Sequence, residues 1–145
     1  MDSTITNAGA YYLLICADGD VKEKELLLGK KMIAIEGFNE RKFENAIDAF
    51  KTQDKKQIYE ACISGLKKLD RQKQIRCLAW LSLIANSDGF MDREEWALIY
   101  RIYNAELSLS LKEILATQKE ISKSLTGRSS DSFGVIVNSP VYEMR

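Results

Sequence analysis

The sequence contains no histidine, which removes a whole group of active sites. Without imidazole there is no Ser-His or Cys-His nucleophile pair, no histidine general base and no zinc site that relies on histidine ligands. The three cysteines, Cys16, Cys62 and Cys77, are far apart, and each lies among apolar residues of a helical pattern. We therefore expect buried, reduced thiols with a structural role.

Long apolar runs and an excess of charge of one sign are also missing. No stretch approaches the about 20 apolar residues that span a bilayer. The 21 basic residues balance the 21 acidic ones, so the strong positive field of a dedicated nucleic-acid-binding protein is absent and no nucleic-acid partner is expected. The first residues, Met1-Asp2-Ser3-Thr4, do not form a secretory signal, and we expect a cytoplasmic protein.

Proline is nearly absent, and apolar residues recur at helical spacing almost throughout. We predict an all-α, compact bundle of about seven helices over residues 1–125. A C-terminal tail, residues 126–145, is predicted to be flexible or held as a short extended segment. The second helix is predicted to carry its apolar residues at Leu26, Leu27, Met32 and Ile33 and to end at Gly37; the predicted N-caps of later helices are Asn39, Asp54, Asp70, Asp92 and Ser110.

One acidic sequence motif occurs twice in this chain. The first copy, Asp18-Gly19-x-Val21-x-x-x-Glu25, matches the second, Asp88-Gly89-x-Met91-x-x-x-Glu95, and each separates two apolar helical segments. The recurring unit is therefore helix, acidic turn, helix. A purely local explanation needs no ligand: the Asp turns the chain, the Gly takes a positive φ, and the later carboxylates favour the start of the next helix.

The duplication opens a second interpretation, in which a pseudo-twofold axis brings both turns to one end of the bundle. Clustered carboxylates resist ionising together unless a cation neutralises them, and oxygen ligands favour Ca²⁺, Mg²⁺ or Mn²⁺. Neither copy fits a complete EF-hand loop, because apolar Leu14 and Ile84 would occupy the first ligand position. We therefore expect any metal site to share ligands between the turns. The residues expected to lie near one another are Asp18, Glu25, Asp88 and Glu95, with Asp20 and Asp92 adjacent.

The two turns, Ala17 to Glu25 and Asn86 to Glu95, resemble those of the TerB-like family, which includes tellurite-resistance TerB proteins and the N-terminal region of the membrane co-chaperone DjlA. The resemblance covers roughly Ile5 to Leu125. It implies a bundle of about seven helices, no known catalytic activity, a divalent-cation site and a bacterial stress-associated interaction module near the membrane. Lys22 departs from the family's small polar cap and places a positive charge beside the first turn. The implied metal ligands are Asp18, Glu25, Asp88, Asp92 and Glu95, with Asp20 as a neighbour.

Three classes of function remain open from the sequence. The first is a non-enzymatic module in which Ca²⁺ or Mg²⁺ at the acidic turns stiffens or presents a surface for a protein partner. The second is a metal-free helical adaptor that contacts a protein or an anionic membrane surface, through an apolar groove or through the segment Lys51 to Arg76, which has eight basic residues and three acidic ones. The third is a metal-dependent hydrolase, which would lack histidine and a Gly-rich phosphate loop. We expect the first.

Overall fold

The computed structural model describes residues 3–87, 89 and 92–126, and within these ranges the chain forms seven α-helices and no β-strand. The predicted all-α bundle is therefore confirmed. Residues 127–145 of the predicted tail lie outside the described residues, and the domain boundary stays a prediction. The elements are α1 (Thr4–Ile15), α2 (Glu23–Glu36), α3 (Glu40–Phe50), α4 (Lys55–Lys67), α5 (Arg71–Ala85), α6 (Arg93–Tyr100), a π-helical segment that continues α6 (Arg101–Glu106), and α7 (Leu111–Thr126).

Several helix ends follow from the hydrogen bonding of single polar side chains, as predicted. The N–H of Lys42 donates to Asn39 Oδ1 at 2.8 Å, and Asp70 caps α5 in the same way. Gly37 ends α2 in the left-handed conformation, with a φ of 72°. Asp54 begins α4 as predicted but makes no side-chain capping hydrogen bond. Local capping chemistry therefore sets the starts of α3 and α5 and the end of α2.

Helices α1 and α5 form the centre of the core, and both run directly into an acidic turn. Most residues of each are buried, including Leu14 of α1 and the segment from Cys77 to Ala85 of α5. The two helices pack on each other, and each also packs on the helix that follows the other one: α2 lies on α5, and α6 lies on α1. This exchange brings the beginnings of α2 and α6 together.

Two details differ from the predicted pattern. Leu26 and Leu27 are 44% and 53% exposed, and α2 buries Leu28 in their place, together with Met32 as predicted. Consecutive helical residues point about 100° apart, so only one of three adjacent leucines can face the core squarely. The π-helical turn after α6 was also not predicted, because Ile99, Ile102 and Tyr103, all buried, have a spacing that an α-helix satisfies equally well.

Candidate functional site

The first acidic turn is closed by its own side chains. Gly19 has a φ of 78°, and Gly89 of the second turn has the same value, as the local explanation predicted. Asp18 Oδ1 accepts a hydrogen bond from the N–H of Asp20 at 2.9 Å, and Asp18 Oδ2 lies 2.8 Å from Lys22 Nζ. The hydrogen bond from Lys22, followed by that from Asp20, holds the pKa of Asp18 below its usual range. Both oxygens of Asp18 therefore already have partners.

Glu25 lies in the first turn of α2 and is held from two sides. The backbone N–H of Lys22 donates to Glu25 Oε1 at 3.1 Å, which places the carboxyl group at the helix start. The hydroxyl of Tyr11, in α1, donates to the backbone carbonyl of Glu25 at 3.1 Å. Burial, aided by the charge of Glu25, raises the pKa of Tyr11 to about 12, so this hydroxyl keeps its proton. Glu25 is 1% exposed and rigidly positioned.

Glu95 occupies the equivalent position in α6. Asp92 is the N-cap of α6, as predicted, and its Oδ2 accepts from the N–H of Glu94 at 2.8 Å. Glu95 is also 1% exposed, and its carboxyl group lies within hydrogen-bonding reach of Glu25. Burial is the main reason that the pKa of Glu95 rises to about 9, and contact with Glu25 adds to it. At neutral pH, therefore, the carboxyl group of Glu95 keeps its proton.

One oxygen of this carboxyl pair is unsatisfied. Glu95 Oε2 is buried, and no described residue donates a hydrogen bond to it. A buried acceptor without a donor is costly, and such atoms in native proteins require an explanation such as a bound ion or water. The unsatisfied oxygen lies at the junction of the two repeats, where the sequence predicted a shared site.

Lys22 completes the charge arrangement at this junction. Its ammonium group pairs with Asp18, and the hydrogen bond that it donates to Asp18, together with the charges of Glu25 and Glu95, raises the pKa of Lys22. The structure thus brings Glu25 and Glu95 together, with Asp18 joined to them through Lys22. Asp20 is exposed, and its backbone closes the turn. Asp92 serves as a helix cap, and Asp88 lies outside the described residues, so its predicted role stays a prediction.

The side-chain oxygens of the site are of the type that a hard divalent cation prefers, but the described residues do not form a preorganised metal site. Among residues 3–87, 89 and 92–126, no group of three or more acidic or thiol side chains is already arranged to hold a metal ion. The oxygens of Asp18, Glu25 and Glu95 are nevertheless the type that Ca²⁺ and Mg²⁺ prefer, and the unsatisfied Glu95 oxygen is one that a cation would satisfy. The residues fit such an ion if Lys22 releases Asp18.

Sequence reasoning missed the part that Tyr11 plays. The Tyr11 ring packs against Gly29 of α2, where an added Cβ would collide with the ring and its hydroxyl. A glycine inside a helical pattern signals such a close approach, and Gly29 was the available signal. Tyr11 also lines an apolar groove of about 370 Å³ between α2 and α3, together with Leu26, Ile33 and Phe43. Tyr11 therefore links the carboxyl pair to this groove.

These features define a class of helical module: two helix-turn-helix repeats that exchange packing partners and meet at a buried pair of glutamates. The chain matches the family described as tellurite resistance protein TerB over residues 6–117. Because this match covers most of its length, the chain belongs to the TerB family, and the resemblance seen in the two turns is confirmed. No curated protein and no solved structure matches the chain. None of the described helices is both long and apolar enough to cross a membrane.

Proposed function

We propose that this TerB-family protein is a non-enzymatic module that binds Ca²⁺ or Mg²⁺ between its acidic turns and presents a surface to a protein partner. The observation that carries the proposal is the buried Glu25–Glu95 pair with its unsatisfied oxygen. Without a cation, the pair must retain a proton to avoid two adjacent buried charges. A divalent cation would replace that proton, neutralise both carboxylates and satisfy the free oxygen.

The remaining ligands are proposed from the repeat. Asp18 would contribute from the first turn, and Asp88 and Asp92 from the second, so that oxygens of both repeats surround one ion. The Asp18 carboxylate is already ionised, because its pKa is held low. Asp20, which is exposed, is proposed as a neighbour of the site. An ion bound in this way would join the start of α2 to the start of α6.

The connection from this site to a partner surface runs through Tyr11. Its hydroxyl bonds the Glu25 backbone, and its ring forms part of the apolar groove between α2 and α3. An ion that fixes Glu25 would therefore also fix one wall of the groove. We propose a groove-binding protein partner and a cytoplasmic, stress-associated role in a bacterium, with peripheral association at a membrane, in keeping with the TerB family.

The test is thermal unfolding with millimolar CaCl₂ or MgCl₂. A ligand that binds only the folded state raises stability by about 2.7 kcal/mol at one hundred times its dissociation constant. We expect either ion to raise the melting temperature of the wild type and to have little effect on the double variant Asp88→Asn, Glu95→Gln. Glu94→Gln is the matched control, since Glu94 is exposed and adjacent to Glu95. No shift with either ion would refute the proposal.

A metal-free adaptor is the second candidate, and the groove is the observation that favours it. Leu26 lines this groove and is 44% exposed, which suits an apolar protein segment. The basic segment supports a membrane surface less well, because Lys67 lies 4.0 Å from Glu106 and Arg71 lies 2.9 Å from Glu113. Binding of a partner that is unaffected by chelator and lost in Leu26→Asp would favour the adaptor. Binding to anionic vesicles, lost in high salt, would instead favour a membrane role.

A further inference from the structure

Lys22 lies at the end of the first acidic turn, beside the Glu25–Glu95 pair, and its ammonium group has the contacts of a small bound cation. Lys22 Nζ is 2.8 Å from Asp18 Oδ2 and 3.5 Å from the backbone carbonyl oxygen of Asp20. The carboxyl groups of Glu25 and Glu95 also act on it whenever they are ionised. The chain therefore supplies one positive charge of its own to the group of carboxylates.

A divalent ion at this site would compete with that ammonium group. Asp18 has both oxygens engaged, so an ion that ligates Oδ2 must share this oxygen with the Lys22 ammonium group or displace it. The charge of Lys22 also repels an incoming cation at short range. The Lys22 side chain is 33% exposed, whereas that of Asp18 is 12% exposed, so the ammonium group can move into solvent without disturbing the core.

We infer that Lys22 is an internal competitor for the divalent cation, one that occupies the first turn in the ion-free protein and sets the ion concentration at which the site fills. This inference rests on the proposed function, because it concerns the same site. The lysine lowers the affinity and also stabilises the ion-free state by pairing with Asp18. Its effect is therefore opposite in the two states: it favours the empty site and opposes the filled one.

The side chain of Lys22 can be replaced without loss of the backbone hydrogen bond at the start of α2. Its contribution to the start of α2 is the backbone N–H that donates to Glu25 Oε1, and a side-chain substitution retains this bond. Lys22→Met removes the charge and keeps the chain length, whereas Lys22→Arg keeps the charge. Lys31→Met is the matched control, since Lys31 is an exposed lysine of the same helix.

The test combines calorimetric titration with CaCl₂ and MgCl₂ and thermal unfolding in chelator. For Lys22→Met we expect the dissociation constant to fall about tenfold or more and the melting temperature in chelator to fall as well. Lys22→Arg and Lys31→Met should bind as the wild type does. Wild type and Lys22→Met binding with equal affinity would overturn the inference and leave the proposed function intact. Binding by no protein, including Lys22→Met, would overturn both.

Discussion

The carboxyl groups of Glu25 and Glu95 contact each other inside the bundle, although the two residues are 70 positions apart in the chain. Each lies in the first turn of the helix that follows an acidic turn, and each is 1% exposed. The contact exists because α2 packs on α5 while α6 packs on α1. Glu25 and Glu95 each look like part of an ordinary helix start in the sequence, but in the fold they form one buried pair.

This pair predicts an unusual pH dependence of stability in the ion-free protein. The pKa of Glu95 is about 9 when folded, compared with 4.5 for an ordinary glutamate. Between these values the folded protein holds a proton that the unfolded chain has released. The free energy of unfolding should therefore be highest below the unfolded pKa and fall as the pH rises toward 9, by at most about 1.4 kcal/mol per pH unit.

Urea unfolding in the presence of a chelator, repeated across this pH range, measures how steeply the free energy of unfolding changes with pH. Glu95→Gln should flatten it, because the amide does not titrate, and should raise stability at the alkaline end. Glu94→Gln, an exposed neighbour, should leave the slope unchanged. An equally steep slope in Glu95→Gln would show that another group is responsible.

The sequence predicted those features that depend on residues close together in the chain. Asn39 and Asp70 each accept a hydrogen bond from the backbone N–H of the residue three positions later. A short sequence pattern is therefore sufficient to predict these helix starts. The approach of Glu25 to Glu95 was predicted from duplication alone. The bond from Tyr11 to Glu25 was not, because the register between α1 and α2 is decided by packing. The exposed face of α2 was also misjudged, since Leu26 and Leu27 sit in a run of leucines without a clear period.

Two glycines in helices provide a test of the packing around Tyr11. In Gly29→Ala the new Cβ would collide with the buried Tyr11 ring, so we expect a loss of about 1 to 3 kcal/mol in the free energy of unfolding. In Gly9→Ala the Cβ would lie 3.6 Å from Cys62 Cβ, an ordinary contact, and the variant should be about 1 kcal/mol more stable. Urea unfolding measures both. Equal effects at the two positions would contradict the described packing.

Glu36 joins the end of α2 to α5. Its effect on stability should depend on pH in the opposite direction to that of Glu95. Its oxygens accept from Arg76 Nε at 3.0 Å and from Trp80 Nε1 at 2.8 Å. Burial raises the pKa of Glu36, but the hydrogen bonds from Arg76 and Trp80 outweigh burial and hold it below its usual value. Its stabilising effect is therefore complete at neutral pH and lost as the pH falls through the folded pKa.

We expect Glu36→Ala to lower the free energy of unfolding at neutral pH by about 1 to 3 kcal/mol, because it leaves the buried Trp80 N–H without its acceptor. Glu60→Ala, at an exposed position of α4, is the control and should change stability little. The difference between the two variants should shrink in acid. A difference that stays constant down to strongly acidic pH would exclude the pairing described for Glu36.

The cysteines should differ in reactivity according to burial. Burial raises the pKa of the Cys62 thiol to about 12 and that of Cys77 well above its usual value, whereas Cys16 is half-buried. Since the thiolate is the reactive form, a disulfide reagent should modify Cys16 first and the other two only on unfolding. Absorbance at the reagent's wavelength follows the reaction. Rapid modification that persists in Cys16→Ser would be inconsistent with this structure.

Calorimetric titration of the wild type with CaCl₂ or MgCl₂ in two buffers of different ionisation enthalpy tests the shared cation site most directly. Because Glu95 keeps its proton in the ion-free protein, binding should release about one proton per ion at neutral pH. The account predicts saturable binding with this release, and loss of both in Glu25→Gln, Glu95→Gln. Absence of binding, or binding of equal strength in the double variant, would contradict it.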